Sequence, residues 1–127
     1  MQMEDWGLMP YLQAFDKQQA CVQQVVEGKR PNTLVFVEHP AVYTVGARAE
    51  ADKHLVAEEA FLHKNNIEVA RTNRGGDITL HSPGQLVIYP ILKLEHKDLH
   101  KYLRELEEVI IRALGYIGLA ATRNDGK

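Results

Sequence analysis

The sequence lacks most of the features that mark secreted, membrane-spanning or nucleic-acid-binding proteins. It has one cysteine, Cys21, so no disulfide bond can form within the chain. Its longest apolar runs, such as residues 34–37 and 109–111, are far shorter than the ~20 residues that cross a bilayer. The 15 Lys and Arg residues are scattered and nearly balance 17 Asp and Glu residues, for a net charge of −2. We therefore expect neither a membrane span nor a nucleic-acid partner.

The first residues also lack the pattern of a secretory signal. Glu4 and Asp5 lie where such a signal carries positive charge followed by an apolar run. Together with the single cysteine, this predicts a protein of the reducing cytoplasm. A chain of 127 residues can bury one core but not two, so we expect one domain.

Hydrophobic periodicity predicts a helix near each end of the chain. Apolar side chains recur at helical spacing over residues 10–27, and Gly28 fits the position after a helix end. A second apolar stripe covers residues 99–113, with Asp98 able to cap its start and Gly115 at its end. The opposite face of this second helix carries charged pairs four residues apart, which indicates a solvated surface rather than a binding patch.

Between these helices, segments rich in β-branched and aromatic residues predict strands. They cover residues 33–38, 41–45, 67–71, 77–80 and 86–89. The last two flank the turn residues Ser82, Pro83 and Gly84, and they predict a hairpin with a wide connection. Helices at both ends with strands between them indicate an α/β or α+β fold, with a mixed sheet flanked by helices.

Shorter segments complete the secondary-structure prediction. Residues 55–62 are compatible with a short helix that Asn65 and Asn66 end. The charged stretch 48–53 is interpreted as a loop, and residues 116–121 have the pattern of the start of another strand.

Most of the chemically capable groups lie in residues 71–85. A turn in this segment has two adjacent glycines, which let backbone N–H groups approach a ligand closely. Arg74 supplies a planar fork of donors that suits a carbonyl, phosphate or carboxylate. Asp77, Thr79 and His81 alternate along a strand and are predicted to form a polar row on one face. A Gly-Gly pair alone is more typical of a plain turn. The presence of the arginine, the glycine pair and the polar row in one short segment favours a functional site instead.

Other kinds of site find less support. The sequence contains neither the G-x-G-x-x-G nor the G-x-x-x-x-G-K-[ST] nucleotide fingerprint. The six histidines lack a matched carboxylate or cysteine cluster, and His96 and His100 have no evident third ligand, so we expect no metal and no cofactor. Cys21 flanks the apolar stripe of the first helix with only Lys17 nearby, which indicates a small buried or half-buried residue rather than a nucleophile.

Two longer motifs carry a family resemblance. Residues 74–90 have the sequence RGGDITLHSPGQLVIYP, which resembles the R-G-G-x-x-T-x-H-G-P-G-Q-x-x-x-Y-P signature of lipoyl(octanoyl) transferases, the LipB family. Residues 38–48, EHPAVYTVGAR, are similar to the E-H-P-x-V-Y-T-x-G-x-R stretch that precedes it in that family. Two residues depart from the usual pattern, because Ser82 replaces a glycine and Leu80 replaces a common aromatic residue.

The resemblance implies the α/β fold that biotin protein ligases and lipoate ligases share. It implies transfer of an octanoyl group from acyl carrier protein to a lysine of a lipoyl domain, through an acyl-enzyme thioester. The implied acceptors are the lipoyl domains of 2-oxoacid dehydrogenase complexes and the glycine cleavage H protein. In such enzymes the matching stretch lines the acyl pocket, which here consists of Arg74, Gly75, Gly76, Asp77, Ile78, Thr79, Leu80 and His81.

The resemblance covers nearly the whole chain but only an N-terminal portion of a typical family member. It therefore implies that residues 1–127 belong to one octanoyltransferase catalytic domain, with the nucleophilic cysteine and partner lysine expected after Lys127. Cys21 does not occupy the position of that cysteine. Two alternatives remain open: a non-catalytic module that binds acyl carrier protein or an octanoyl chain, and an ATP-dependent lipoate or biotin ligase.

Overall fold

The computed structural model of the chain describes residues 1–48 and 55–124. Within these ranges the elements are β1 (Gln2–Leu8), α1 (Tyr11–Val26), β2 (Thr33–Glu38), β3 (Val42–Val45), α2 (Glu59–Lys64), β4 (Glu68–Arg71), β5 (Ile78–His81), β6 (Val87–Ile91) and α3 (Leu99–Tyr116). The chain divides into two compact units, Met1–Lys93 and Leu94–Lys127. No helix in the described ranges is long and apolar enough to span a membrane. Apart from Arg48, the loop predicted at 48–53 lies outside the described residues.

Two mixed three-stranded sheets form the first unit, where the sequence predicted one mixed sheet. In the first sheet, β2 lies between β1, which runs parallel to it, and β6, which runs antiparallel. In the second sheet, β3 lies between the parallel strand β4 and the antiparallel strand β5. The predicted hairpin of β5 and β6 is therefore wrong. Each of these strands pairs with the central strand of a different sheet, so the segment after β5 connects the two sheets.

The first sheet and α1 share a core that the sequence pattern largely determines. Along β2, Thr33, Val35 and Val37 are buried and alternate with half-buried residues, as expected for a strand with one face on the core. Cys21 of α1 is 2% exposed, which confirms the prediction that it is a buried residue. The buried members of this core are Trp6, Ala14, Cys21, Val25, Val35, Val37 and Ile91.

The first turn of α1 also packs on the second sheet. Tyr11 is buried with Val42 of β3 and Ala70 of β4, and Phe15 packs against them. The helix covers nearly the whole of the predicted range 10–27. One helix therefore contributes to both of these cores, whereas the chain length predicted a single core.

The strand β1 was not predicted from the sequence. Only Trp6 of its seven residues is buried, and Glu4 and Asp5 interrupt any apolar alternation. Parallel pairing with β2 and an ion pair between the Arg30 guanidinium and the Glu4 carboxylate hold it in place. An edge strand of this kind is specified by its neighbour more than by its own side chains.

The second unit is built on α3, whose start the sequence predicted correctly. The Lys101 backbone N–H donates to the Asp98 carboxylate at 2.9 Å, so Asp98 is the helix cap. The helix continues through Gly115, past its predicted end, because one exposed glycine costs a helix only about 1 kcal/mol. On the charged face, the Arg112 guanidinium lies 2.8 Å from the Glu108 carboxylate, as the spacing predicted.

The segment after α3 contradicts the prediction of a strand start at 116–121. Residues 119–124 form no strand. Arg123 instead reaches back to the helix, where its Nε lies 3.2 Å from a Glu107 carboxylate oxygen and its Nη2 lies 2.7 Å from a Glu108 oxygen. These charge-assisted hydrogen bonds hold the segment along α3.

The first core generates a stability prediction. We expect Val35→Ala to lower the free energy of unfolding by about 2 kcal/mol, because Val35 is 0% exposed in the central strand and its removal leaves a cavity. The matched control is Val69→Ala, since Val69 is 40% exposed on β4. That control is expected to change stability by less than about 0.5 kcal/mol. Urea unfolding followed by circular dichroism measures both, and equal losses in the two variants would contradict the assignment of the core.

Candidate functional site

The loop between β4 and β5 is held in shape by the side chain of Arg74. Its Nη2 donates to the Thr44 carbonyl at 2.7 Å, to the Thr44 hydroxyl at 2.9 Å, to the Asp77 carbonyl at 3.0 Å and to the Thr79 hydroxyl at 3.1 Å. Its Nη1 donates to the Gly75 carbonyl at 3.1 Å. The donor fork expected to meet a ligand is thus largely occupied by acceptors of the protein. Arg74 ties β3, the loop and β5 together.

The two motifs singled out in the sequence touch through their backbones. Gly46, in the first motif, donates its N–H to the Asp77 carbonyl at 2.8 Å, and the Ala47 N–H donates to the Arg74 carbonyl at 2.9 Å. A Cβ on Gly46 would lie 2.5 Å from the Gly76 carbonyl oxygen, closer than any real contact. Gly76 has φ +91°, a conformation that residues with a side chain rarely adopt. Glycine is therefore required on both sides of this contact.

The predicted polar row of Asp77, Thr79 and His81 has separate partners in the structure. The Thr79 hydroxyl accepts from Arg74, and an Asp77 carboxylate oxygen lies 3.9 Å from the Arg48 guanidinium. The Nδ1 of His81, at the end of β5, lies 2.6 Å from the Gln85 amide oxygen. Ile78 and Leu80, the apolar members of the candidate pocket, are half-buried and 44% exposed respectively.

Four aromatic side chains meet beside this loop, and we call them the histidine-tyrosine cluster: Tyr11 of α1, His39 just after β2, His81 of β5 and Tyr89 of β6. The rings of Tyr11 and His81 stack, with centroids 6.1 Å apart and planes 10° from parallel. The His39 ring presents its edge to both, at 5.4 Å from Tyr11 and 5.6 Å from His81. Tyr89 also contacts His39, with ring centroids 6.3 Å apart. The cluster therefore joins the start of α1, the end of β2, the end of β5 and β6.

Hydrogen bonds fix the protonation of His39, which is fully buried. Its Nδ1 lies 2.8 Å from the Met9 carbonyl, and its Nε2 lies 3.0 Å from the Tyr89 hydroxyl. Because a carbonyl only accepts, Nδ1 carries the hydrogen and Nε2 accepts from Tyr89. Burial lowers the pKa of His39, the Met9 carbonyl raises it and the neighbouring His81 lowers it further. The ring is thus a neutral acceptor for the tyrosine.

The two tyrosines of the cluster are held in their protonated form. Burial, reinforced by the nearby Tyr11, raises the pKa of Tyr89 to about 12. Burial also raises the pKa of Tyr11, although the positive charge of Arg74 opposes that shift. Both hydroxyls therefore remain hydrogen-bond donors over the ordinary pH range.

Tyr11, His39 and Tyr89 were not predicted from the sequence as site residues. His39 and Tyr89 lie within the two motifs, so membership of a motif was the signal that could have identified them. Tyr11 lies outside both motifs. It fits the apolar stripe of the first helix, so no feature of the sequence marks it as a site residue. In the described part of the chain, no three His, Cys, Asp or Glu side chains are grouped so that they could hold a metal ion.

Comparison with known proteins gives a consistent match along the chain. A model of the lipoyl protein ligase A/B catalytic domain matches residues 10–127. The chain is similar to an octanoyltransferase of Rubrobacter xylanophilus, at 48% identity over 93% of this chain and 53% of the relative. It is also similar to an octanoyltransferase of Syntrophotalea carbinolica, at 44% identity over 100% of this chain and 57% of the relative. The chain thus spans little more than half the length of these curated relatives.

Solved structures share the fold. A lipoate protein ligase from Thermoplasma acidophilum superposes with a TM-score of 0.73 at 17% identity, over 98% of this chain and 51% of that one. A lipoate-protein ligase A bound with ATP gives a TM-score of 0.67 at 19% identity, over 98% and 52% of the two chains. The expectation of a lipoate-ligase-like fold is therefore confirmed.

The backbone contact between the motifs predicts a sharp difference between two glycines. We expect Gly46→Ala to cost about 1–3 kcal/mol of unfolding free energy, because its Cβ overlaps the Gly76 carbonyl and the loop must move. Gly75→Ala is the matched control for stability, since nothing lies within 4 Å of a Cβ there. Urea unfolding and hydrogen exchange of the Ala47 amide provide the measurements. Unchanged exchange of that amide in Gly46→Ala would show that the contact does not hold the loop.

The bond between His39 and Tyr89 generates a second prediction for the site. Tyr89→Phe leaves the buried Nε2 of His39 without its donor, so we expect a loss of about 1–3 kcal/mol in unfolding free energy. Tyr43→Phe is the matched control, because the half-buried Tyr43 hydroxyl has no hydrogen-bond partner in residues 1–48 and 55–124. Thermal and urea unfolding compare the two variants. Equal stability of both would show that the Tyr89 hydroxyl does not stabilise the protein through His39.

Proposed function

Because this chain belongs to the lipoyl protein ligase A/B catalytic domain family, we propose that it is part of an octanoyltransferase that acts in protein lipoylation. The observation that carries this proposal is that the two transferase motifs fold against each other, with Gly46 of one packed on Gly76 of the other. The proposed donor is octanoyl-acyl carrier protein. The proposed acceptors are lysines on lipoyl domains of 2-oxoacid dehydrogenase complexes and on the glycine cleavage H protein, in the cytoplasm.

The proposed reaction has two acyl transfers. A cysteine thiolate attacks the thioester carbonyl of the donor, the carrier thiol leaves, and the lysine amine then displaces the cysteine sulfur to form an amide. The chain spans about half the length of its curated relatives. We propose that residues 1–127 are the N-terminal portion of one catalytic domain and supply the acyl-binding part. Under this proposal the cysteine and its partner lysine follow Lys127.

Arg74 and its loop suit such a role because acyl transfer needs fixed donors rather than mobile ones. Negative charge develops on the carbonyl oxygen, and preorganised backbone N–H groups stabilise it without reorganising. The bonds from Arg74 to Thr44, Asp77 and Thr79 fix the loop that carries Gly75 and Gly76. We propose that residues 74–81 line the acyl pocket in this way, with Arg74 shaping the pocket.

A second candidate function is an ATP-dependent ligase, because solved lipoate ligases share this fold. Those structures are 17–19% identical to the chain, so they carry the fold and not the reaction. The curated relatives named octanoyltransferase are 44–48% identical over 93–100% of the chain. The transferase reaction therefore takes precedence, and ATP dependence distinguishes the two.

The test is a chimera in which residues 1–127 replace the matching segment of the Rubrobacter xylanophilus octanoyltransferase. The chimera is incubated with octanoyl-acyl carrier protein and an apo lipoyl domain, and intact masses are recorded. We expect the lipoyl domain to gain one octanoyl group without ATP. Transfer that requires octanoate and ATP would establish the ligase instead, and a folded chimera that binds the carrier protein but transfers nothing would indicate a non-catalytic module.

The same chimera tests the role of Arg74. We expect Arg74→Ala to lower the transfer rate about 100-fold, because a loop displaced by about 1 Å misplaces the reacting groups. Arg112→Ala is the matched control, since Arg112 is an exposed residue of α3 paired only with Glu108 among the described residues. Equal rates in the two variants would show that the loop does not shape the acyl site.

A further inference from the structure

Gln85 is the direct hydrogen-bond partner of His81. Its amide oxygen lies 2.6 Å from His81 Nδ1, across a turn closed by the bond from the Gln85 N–H to the Ser82 carbonyl at 3.1 Å. The turn is anchored from outside, because the Gly84 N–H donates to the Glu38 carboxylate at 2.7 Å. Glu38 directly precedes His39, so the turn is fixed relative to the histidine-tyrosine cluster.

The bond with Gln85 selects one tautomer of His81. An amide oxygen only accepts, so Nδ1 carries the hydrogen and Nε2 of the neutral ring keeps its lone pair. Among the described residues, His81 Nε2 has no hydrogen-bond partner. The ring is half-buried, and stacking on Tyr11 together with the edge contact to His39 restricts its rotation.

The neighbouring histidine cannot take this role. His39 has the same tautomer, but its Nε2 is occupied by the Tyr89 hydroxyl and its ring is fully buried. Of the two histidines in the cluster, only His81 offers an unoccupied acceptor at a partly exposed position. An acceptor nitrogen calls for a ligand that carries an N–H or O–H donor.

We propose that Gln85 is a positioning residue that holds His81 with Nε2 as the hydrogen-bond acceptor for the primary amine that receives the acyl group. This inference rests on the proposed function. The two reacting groups differ in hydrogen-bonding capacity. The thioester and its acyl chain have no N–H or O–H group at the reacting atoms, whereas the amine has N–H groups that can donate to Nε2. His81 orients the amine so that its lone pair faces the thioester carbonyl. In the transfer itself the C–N bond forms, the C–S bond breaks, and the proton released from nitrogen ends on the departing sulfur.

The tautomer of His81 is measured independently of activity. Two-bond ¹H–¹⁵N spectra of the ¹⁵N-labelled 127-residue chain at pH 8 distinguish the Nδ1–H and Nε2–H forms, and His81→Gln assigns the signals. We expect the Nδ1–H form in the unmodified chain. Gln85→Leu should move His81 toward the Nε2–H form that free histidine prefers, and Gln85→Glu, whose carboxylate also accepts, should restore the Nδ1–H form.

Internal and matched controls separate this effect from unfolding. His39 should keep its Nδ1–H form in every variant, because its partners are Met9 and Tyr89. Gln19→Leu, an exposed change on α1, should leave the His81 signals unchanged. A Gln85→Leu variant that keeps the His39 signals but shows no change at His81 overturns the proposal.

The octanoyl-transfer chimera supplies the second readout. We expect Gln85→Leu to lower kcat/KM for the lipoyl domain about 10-fold, and Gln85→Glu to recover most of that loss. A tautomer change without any loss of transfer overturns the role of His81 toward the amine. If the unmodified chimera transfers no octanoyl group although the tautomer responds to Gln85→Leu, the proposed function fails while the positioning of His81 by Gln85 is supported.

Discussion

The arrangement of the site depends on the pairing of one guanidinium group with a fully buried threonine. Thr44 lies in the central strand of the second sheet with 0% exposure, and Arg74 satisfies both its hydroxyl and its carbonyl. Leaving a buried polar group without a partner costs more than the hydrogen bond itself contributes, so this contact favours one loop path. The approach of Gly46 to Gly76 and the start of β5 follow from that path. Arg74 is thus better understood as a constraint on the loop than as a ligand contact.

A second constraint joins the two sheets. α1 places side chains in both cores. The carbonyl of Met9, just before α1, accepts a hydrogen bond from His39. His39 in turn follows β2 of the first sheet and contacts His81, which ends β5 of the second. The candidate site is therefore assembled from elements far apart in the sequence. Its geometry therefore depends on the packing of both cores.

The sequence predicted the elements whose own side chains specify them. β2 is rich in β-branched and aromatic residues and α1 has an apolar stripe, and the structure reproduces their ranges closely. The prediction from sequence failed where strand pairing depends on a distant partner. β1 was missed because it has a single buried side chain. β5 and β6 join different sheets although only a short turn separates them. The same reason limits the site. The motif pointed to the loop and to His81, but the contacts of His81 with Tyr11 and His39 follow from the fold and from no local pattern.

The two histidines of the cluster show how the environment separates identical side chains. Both rings carry hydrogen on Nδ1, yet His39 is enclosed and its pKa is lowered mainly by burial, so it stays a neutral acceptor for Tyr89. Protonating His39 would remove the lone pair that Tyr89 needs, and the raised pKa of Tyr89, about 12, keeps that hydroxyl a donor. This inner pair is thus locked in one hydrogen-bonding direction. The uncharged pair of His39 and Tyr89 packs beside His81 through the His39 ring. The tautomer of His81 is then selected by its exposed partner, Gln85.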